Sequence, residues 1–556
     1  MLRRHLAKSP TDASAMSLIA EVLSTLRKFD QALFFSRRAV ELRPNNASDR
    51  SNLGTMLHKM GKFDEALMEF QAGQRLDPRV ASNFTGEGVI AAERKEFENA
   101  EALFRKAMEL DPRLAFPAFN LATIQIGRGR AELAAETARH AINRGCDPTL
   151  LVRILTQFAN YATDDPQQLG ELFRVAGAVA QRGQRPPAPF ANSRDPERIL
   201  RVGLLSTDFR FHAVMHFIEH LIERLPTLNI RLYAYQLDPR TDDVTERVRP
   251  HFVAWRNCVS QMGEVLERTI RDDGIDVLID LVGWLERNRI ETLARKAAPV
   301  QVTYCGFPNT TGLTTVDARI VDSITDPPGS AMFNSEHLVR LDPCFLCYRP
   351  SVHASPPRQR PGGAPLTFGS FNAIWKMTEA AARVWGSVLQ AMPESQMVIK
   401  TSSGEPWALR EWLPQAMGVA PDRVRFLPFS DTPAEHLATY HEVDIALDTF
   451  PYHGTTTTCE ALLMGVPVVS LQGRVHAARV GGSLLRAVGL PELVAQKPED
   501  VVRIAVGLAG DEPTRRRWRG ELPEMLRSSV LCDEAGHAAR FAGEIRDLWR
   551  GWCQRS

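Results

Sequence analysis

The stretch Val443-Asp444-Ile445-Ala446-Leu447-Asp448-Thr449-Phe450-Pro451-Tyr452-His453-Gly454-Thr455-Thr456-Thr457-Thr458-Cys459-Glu460-Ala461-Leu462-Leu463-Met464 passes from a strand-like apolar run, through a glycine, into a helical pattern. That is one strand, loop and helix of an open α/β sheet. A glycine after a strand lets the backbone approach a ligand. Four threonines at a helix start set hydroxyls beside free amide N–H groups at the positive end of the helix dipole. The run reads as a phosphate site, with Glu460, one turn in, as a candidate for holding a ribose. A threonine N-cap on an ordinary helix is the plainer alternative. Four threonines behind a glycine, with a carboxylate following, favour a nucleotide.

Outward from this unit the same rhythm recurs. Upstream, strand-like runs at Ile199 to Leu205, Ile230 to Leu237, Ile275 to Leu281 and Val300 to Cys305 alternate with helical patterns over 213–225, 259–272 and 285–297. The alternation pauses at the proline-rich Pro350 to Pro365. It restarts with Leu366 to Ser370, Gln396 to Lys400, Arg423 to Leu427, Val443 to Leu447 and Val466 to Leu471. Two parallel sheets in tandem follow, and ligands of such sheets sit at the carboxyl ends of strands, in a cleft between the two.

The first part of the chain has another logic. Pro10, Pro44, Pro78 and Pro112 lie 34 residues apart, as do Phe29, Phe63 and Phe97, and Ala32, Ala66, Ala100 and Ala134. Small residues recur where paired helices must approach (Gly54, Gly88, Ala122), and Asp-Pro marks turns at Asp77-Pro78 and Asp111-Pro112. The period, the core Gly61-Lys62-Phe63-Asp64-Glu65-Ala66 and the closing proline resemble tetratricopeptide repeats. Leu2 to Pro10 aligns with the end of a repeat whose first helix is missing, which suggests a longer solenoid or a cap from another chain. Residues 150 to 182 read as continued helix before the prolines of Arg182 to Pro189.

Composition narrows the function. With 67 basic and 66 acidic residues the formal charge is +1, so no general field gathers nucleic acid or anionic lipid. The start, Met1 to Lys8, lacks the apolar core of a signal peptide, and no stretch approaches the ~20 apolar residues of a membrane span. A cytoplasmic protein is expected, without nucleic-acid or membrane partners. Of the 8 cysteines only Cys344 and Cys347 are close, in a strand-like apolar stretch, and they read as buried structural residues.

Two further segments could line the cleft. Ser206 to His216 follows the first strand, and there His212 could relay a proton with Asp208 orienting it. His216, a turn later, reads as a helix-face histidine, and the pair has no third ligand at metal-binding spacing. Phe368 to Thr378 follows the first strand of the second sheet, with Lys376 flanked by aromatics where an ammonium could neutralise a leaving diphosphate. Asp242-Asp243 is loop-like, and Asp444 and Asp448 frame a strand, so no metal cluster stands out.

Taken together, Asp448 to Tyr452 with Gly454 to Glu460, Phe307-Pro308-Asn309-Thr310-Thr311-Gly312-Leu313 and Phe368 to Asn372, behind tetratricopeptide repeats, resemble the SPINDLY and O-GlcNAc transferase family. The resemblance implies a tetratricopeptide α-solenoid (residues 1–147), a helical linker (148–197) and a GT-B core of two Rossmann-like domains (198–358 and 359–556). It implies an enzyme that inverts at the anomeric carbon without a metal, moving a monosaccharide from a nucleotide sugar to Ser or Thr of polypeptides held by the repeats. By position, His212 matches the histidine near the reacting centre and Asp208 the carboxylate proposed for proton relay. Lys376, Thr456 and Thr457 match residues at the diphosphate, Glu460 the ribose-holding acid, and His436 a residue near the base. Pro308, Thr310 and Thr311 match a cleft loop near the donor. Where animal O-GlcNAc transferases have His-Thr-Thr this chain has Thr455-Thr456-Thr457, Ala373 replaces a glutamine and Pro433 a lysine. The Thr455 to Glu460 run instead looks like the SPINDLY branch, which uses GDP-fucose, so UDP-GlcNAc and GDP-fucose both stay open as donors. An adaptor with an inactive core, or another nucleotide-sugar enzyme of the same fold, is the alternative. The oligomeric state leaves no readable trace.

Overall fold

The 34-residue period becomes a stack of helical hairpins because small residues in each repeat make room for a large one at a fixed offset. The computed structural model describes residues 9, 11–25, 28–128, 130–401 and 407–555; the half-repeat expected at Leu2 to Pro10 falls, Ser9 apart, outside them. Helices pair as Ala13–Thr25 with Phe29–Leu42, Ala47–Lys59 with Phe63–Leu76, Ala81–Glu93 with Phe97–Leu110, and Ala115–Gly127 with Ala131–Asn143. Ala32, Ala66, Ala100 and Ala134 are all fully buried. A Cβ on Gly54 would stand 2.7 Å from the Phe70 ring, and one on Gly88 2.7 Å from that of Phe104. Glycine is thus what lets the rings lie flat against the partner helix. At the Asp-Pro turns the Asp77 and Asp111 carboxylates accept the amides of Arg79 and Arg113, at 2.9 and 3.0 Å. The helices up to Leu155 form one compact unit and the chain from Thr156 onward another.

The continued helix expected over 150–182 is two helices, Pro148–Ala162 and Pro166–Gln181. The break follows from Asp165, whose carboxylate caps the second helix on the amides of Gln167 and Gln168 (2.9 and 3.2 Å), and from Pro166 at its first turn.

Among the described residues thirteen strands then build two sheets. The first holds β1 (Leu200–Ser206), β2 (Ile230–Gln236), β3 (Phe252–Asn257), β4 (Val277–Asp280), β5 (Val300–Thr303), β6 (Ala318–Val321) and β7 (His337–Arg340), in the order β3-β2-β1-β4-β5-β6-β7. The second holds β8 (Thr367–Phe371), β9 (Gln396–Lys400), β10 (Val424–Leu427), β11 (Ile445–Leu447), β12 (Val468–Leu471) and β13 (Val494–Ala495), in the order β10-β9-β8-β11-β12-β13. Every pairing is parallel. Strand order reverses between β1 and β4 and between β8 and β11, and at such switch points the loops splay apart and leave a crevice.

Four strands depart from the sequence reading. β3 is an edge strand, and its apolar run Phe252 to Trp255 is short, half-buried or exposed, and ends on Arg256 and Asn257. β6 and β7 carry Arg319 and Arg340, and Arg319 is buried on Asp326 (3.3 Å) and Asn334 (3.1 Å). β13 has two residues. The helix expected over 285–297 shrinks to Ile290–Ala294, because Arg287 takes a left-handed φ of 59° and Asn288 starts the helix afresh on the amide of Ile290. Cys344 and Cys347 are buried and unpaired as thiols, in an irregular segment rather than a strand.

The sheets face each other through the loops at their carboxyl ends. After β6, Asp322 accepts the Ser483 hydroxyl (2.6 Å), Asp326 contacts the His476 ring nitrogen Nδ1 (2.6 Å), and the Ile324 carbonyl accepts from Arg479 (2.6 Å). The last helix, Glu534–Gln554, packs back on the first sheet: Phe541 lies 5.1 Å from Tyr304, and the Trp549 indole donates to Asp195 O at 3.0 Å. Among the described residues no helix is long and apolar enough to cross a membrane.

Candidate active site

The threonine run sits where β11 turns into helix Thr456–Leu463, and one carboxylate fixes that turn. Asp448 Oδ1 accepts the amides of Thr449 (2.9 Å) and Gly454 (2.7 Å), and Oδ2 accepts the Ser470 hydroxyl (2.7 Å). A Cβ on Gly454 would lie 2.3 Å from Thr457 Oγ1 and 3.2 Å from Asn372 Oδ1. His453, fully buried, locks the turn from behind. Its Nε2–H donates to Leu471 O (2.7 Å), its Nδ1 accepts from the Gly481 amide (3.0 Å), and burial lowers its pKa. This is therefore a neutral histidine with both ring nitrogens engaged.

The four threonines separate into two kinds. Thr458 is buried with its hydroxyl on Gly454 O (3.0 Å), a helix-internal bond. Thr455, Thr456 and Thr457 are partly exposed, and Thr457 reaches Asn372 Oδ1 at 3.3 Å. No acceptor is found among the described residues for the backbone amides of Thr455 to Thr458, so the helix end presents N–H groups outward.

Lys376 reaches this turn from the loop after β8. Its Nζ donates to His453 O (2.7 Å) and lies 4.2 Å from the centre of the Tyr452 ring, whose other face stacks on Tyr161 at 4.7 Å. Burial pushes the lysine pKa from 10.5 down to about 8, against the charge of Asp448, which raises it. An ammonium, amides without an acceptor among the described residues and three partly exposed threonines thus lie at the switch point of the second sheet, a set of donors with the chemistry to meet an anion.

Glu460 stands one turn further, its Oε2 3.1 Å from His436 Nε2 and 3.4 Å from the Tyr440 hydroxyl. His436 belongs to helix Pro433–Ala438, which Thr432 and Glu435 start with a capping box. The structure thus brings Lys376, Thr455, Thr456, Thr457, Glu460 and His436 onto one rim.

Asp208 and His212 lie at the carboxyl end of β1, on the opposing sheet. Asp208 Oδ2 is 3.5 Å from His212 Nδ1 and accepts the Thr207 hydroxyl (2.7 Å), while Oδ1 meets Arg210 (3.3 Å). Desolvation lowers the His212 pKa below 6.5, and the Asp208 charge opposes this. His212 opens on a cavity of about 510 Å³ that Phe211, His216, Asp242, Arg247 and Val352 help to line. His216 is the expected helix-face histidine: its Nδ1 approaches Arg349 O at 3.1 Å and its ring lies 5.6 Å from that of Tyr348. Among the described residues nothing joins His212 directly to Lys376 or the threonine turn.

The loop Phe307 to Leu313 turns its threonine side chains inward. Thr310 and Thr311 are fully buried, and both hydroxyls donate to Glu336, with Thr310 Oγ1 2.5 Å from Oε2. Their side chains face the protein because Glu336, itself buried, needs donors. Pro308 is buried, and Gly312 abuts helix Pro166–Gln181, where a Cβ would stand 1.7 Å from Phe173 O. Sequence reasoning missed Asp448, His453 and Asn372 as fixtures of the turn, and Tyr161 and Tyr452 as the platform of the lysine. Asp448 and His453 were visible as a strand-end acid and a histidine flanking the glycine. Tyr161 carries no local signal, since it comes from a helix far upstream. Among the described residues no group of three or more His, Cys, Asp or Glu side chains could hold a metal ion.

Two parallel sheets joined in tandem and facing through their carboxyl ends define a GT-B glycosyltransferase fold. The chain belongs to glycosyl transferase family 41, whose profile matches residues 182–348 and 358–540, and a tetratricopeptide-repeat profile matches residues 13–46. A solved O-GlcNAc transferase of Thermobaculum terrenum, a lysine-to-methionine mutant, superposes with a TM-score of 0.75 at 32% identity, covering 91% of this chain and 98% of that one. The probable UDP-N-acetylglucosamine–peptide N-acetylglucosaminyltransferase SPINDLY of Petunia hybrida is 38% identical over 405 residues, 71% of this chain and 43% of that protein. Its counterpart named SEC in Arabidopsis thaliana is 27% identical over 434 residues, 74% of this chain and 43% of that protein. The chain thus spans less than half the length of these curated relatives.

Proposed function

We propose that this chain is an inverting protein O-glycosyltransferase that moves a monosaccharide from a nucleotide sugar, UDP-GlcNAc or GDP-fucose, to Ser or Thr hydroxyls, with no metal required. The observation that carries the reading is Lys376, an ammonium held on a backbone carbonyl and an aromatic ring at the foot of a helix whose first amides are free. Such a set of donors suits the charge that grows on a departing nucleoside diphosphate. The acceptor hydroxyl attacks C1 of the sugar as the bond from C1 to the diphosphate oxygen breaks on the opposite face, so configuration inverts. The hydroxyl proton goes to a phosphate oxygen of the donor or to His212. The depressed His212 pKa leaves it neutral near pH 7, and its Nδ1 meets the Val214 amide (3.4 Å) and Asp208 Oδ2 (3.5 Å), which orient the ring. Glu460 and His436 take the ribose and base end, and Thr455, Thr456 and Thr457 the diphosphate. For the loop at Pro308, Thr310 and Thr311 we propose a supporting role, with Glu336 holding it in place. The repeats supply a surface for polypeptide acceptors.

The experiment is transfer of labelled sugar to cell-extract proteins by the full chain and by Lys376→Ala, with thermal shifts measured for UDP, GDP, UDP-GlcNAc and GDP-fucose. A ligand at 100 times its Kd stabilises by about 2.7 kcal/mol. Transfer and a selective shift are expected from the unmodified chain, and a loss of transfer of about 10²–10³-fold or more from a folded Lys376→Ala. Near-normal transfer by that variant removes the reading. Donor hydrolysis with no protein labelled would point to another acceptor class, and no shift with any nucleotide to a repeat adaptor.

A further inference from the structure

β9 ends on a lysine that the reaction outlined above does not use. Lys400 is 3% exposed, and its ammonium donates to Ser430 Oγ at 2.5 Å, on the loop between β10 and helix Pro433–Ala438. An ammonium carries three donors, so among the described residues two have no acceptor. The nearest acids are already occupied. Glu435 closes the capping box on Thr432, and Glu460 is held by His436 and Tyr440. Their charges favour the protonated lysine while burial opposes it. A serine hydroxyl alone is a poor return for burying a charge, since a neutral side chain would meet it at lower cost.

Position says what the other donors face. In the order β10-β9-β8-β11 the anion turn follows β11 and Lys376 follows β8, so Lys400 lies one strand further out. Glu460 and His436 border the same side. On the proposed reading, a nucleotide with its diphosphate on the threonine turn and its ribose at Glu460 carries its base toward the ends of β9 and β10.

We infer that Lys400 reads the nucleobase of the donor, giving its free N–H groups to a ring keto oxygen, and so selects guanine or uracil over adenine or cytosine. The chemistry is that of base edges: guanine offers O6 and N7 and uracil O4 as acceptors, whereas adenine and cytosine place an amine at the matching position. An ammonium attracts the first pair and repels the second. The inference rests on the nucleotide-sugar reading, and the test separates the two.

Binding of GDP, inosine diphosphate, ADP, UDP and CDP to the full chain is measured by calorimetry, and again for Lys400→Met, Lys400→Arg and Ser430→Ala. The unmodified chain is expected to prefer a keto base over the amino base of the same ring size by roughly tenfold to a hundredfold. Lys400→Met should bring that ratio to within about threefold, through loss of the keto nucleotide, while Lys400→Arg and Ser430→Ala keep it. A folded Lys400→Met that weakens all five nucleotides alike and keeps the ratio makes Lys400 a packing residue and overturns the inference, with the nucleotide reading intact. Absence of binding by any of the five to the unmodified chain overturns both.

Discussion

Lys376→Met should leave the unliganded protein as stable as the parent or more so, while removing its response to nucleotide. Burial takes the lysine from 10.5 to about 8. At 1.36 kcal/mol per pH unit, holding that ammonium charged at pH 7 costs about 3 kcal/mol. Methionine has a similar length and no charge, and its thioether packs well on an aromatic ring such as Tyr452. Against this, His453 O loses its donor, and a buried carbonyl left unpaired costs about 1–3 kcal/mol. The balance runs from neutral to about 2 kcal/mol in favour of the variant.

The pH dependence gives the sharper test. The folded pKa lies below the unfolded one, so between about pH 8 and 10.5 the unfolded lysine binds more protons than the folded one. Stability of the parent therefore rises through that window relative to the variant, which has no such group. The assay is denaturant unfolding of parent and variant at several pH values from 7 to 10.5, with and without nucleotide. Saturating nucleotide should add about 2.7 kcal/mol to the parent at 100 times Kd and well under 1 kcal/mol to the variant. A variant destabilised by more than about 2 kcal/mol at pH 7, with a parent–variant difference flat across the window, would refute a lysine held at a cost for its ligand.

Gly454→Ala puts a methyl 2.3 Å from Thr457 Oγ1; it should cost about 1–3 kcal/mol and weaken nucleotide binding at least about tenfold, and unchanged affinity by calorimetry would place the ligand elsewhere. The rate profile of kcat/KM should fall above about pH 8 as Lys376 loses its proton, and on the acid side below the depressed His212 value. Asp448→Asn keeps an acceptor for Gly454 but removes the charge that raises Lys376, so the alkaline limb should move down by about one pH unit or more; a limb that stays put belongs to another group. His220 and His537 are buried against each other at 3.0 Å, with pKa values lowered by burial to about 2 and about 4. Since the unfolded histidines bind protons first, stability should fall as pH drops from 6.5 through about 4, and His220→Leu with His537→Phe should flatten that slope in acid unfolding curves.

Legibility followed local period and local chemistry. The solenoid could be read because each small residue faces a large one at a fixed offset, as Gly54 faces Phe70 and Gly88 faces Phe104. Buried central strands such as β1 and β9 could be read because both faces are covered and the sequence turns continuously apolar. β3, β6 and β7 could not, because β3 and β7 are edge strands with short apolar stretches and β6 carries the buried Arg319. The places of Lys376 and of Thr455 to Glu460, following strands of the second sheet, were legible from the strand pattern. The orientation of Thr310 and Thr311 was not legible, because a hydroxyl in a loop looks the same in sequence whether it faces outward or a buried acid. Only the position of Glu336, about 25 residues on, decides between them.

What the fold does with charge at these strand ends bears on how the site works. Asp448 uses both oxygens on the backbone and on Ser470, so it holds the turn rather than pairing with Lys376. Glu460 is likewise committed to His436 and Tyr440, and Lys376 and Lys400, at the ends of neighbouring strands, each keep a single hydrogen-bond acceptor among the described residues. Pairing either lysine with a free carboxylate would stabilise the empty protein, but it would also screen the charge a diphosphate or a base must meet. The acids fix geometry and the lysines stay underpaired, so on the proposed reading the donors would be in place before a ligand arrives and need not reorganise as its leaving group gains charge. On the proposed reading the core without nucleotide is less stable than its packing allows, and a bound nucleotide would offset the deficit.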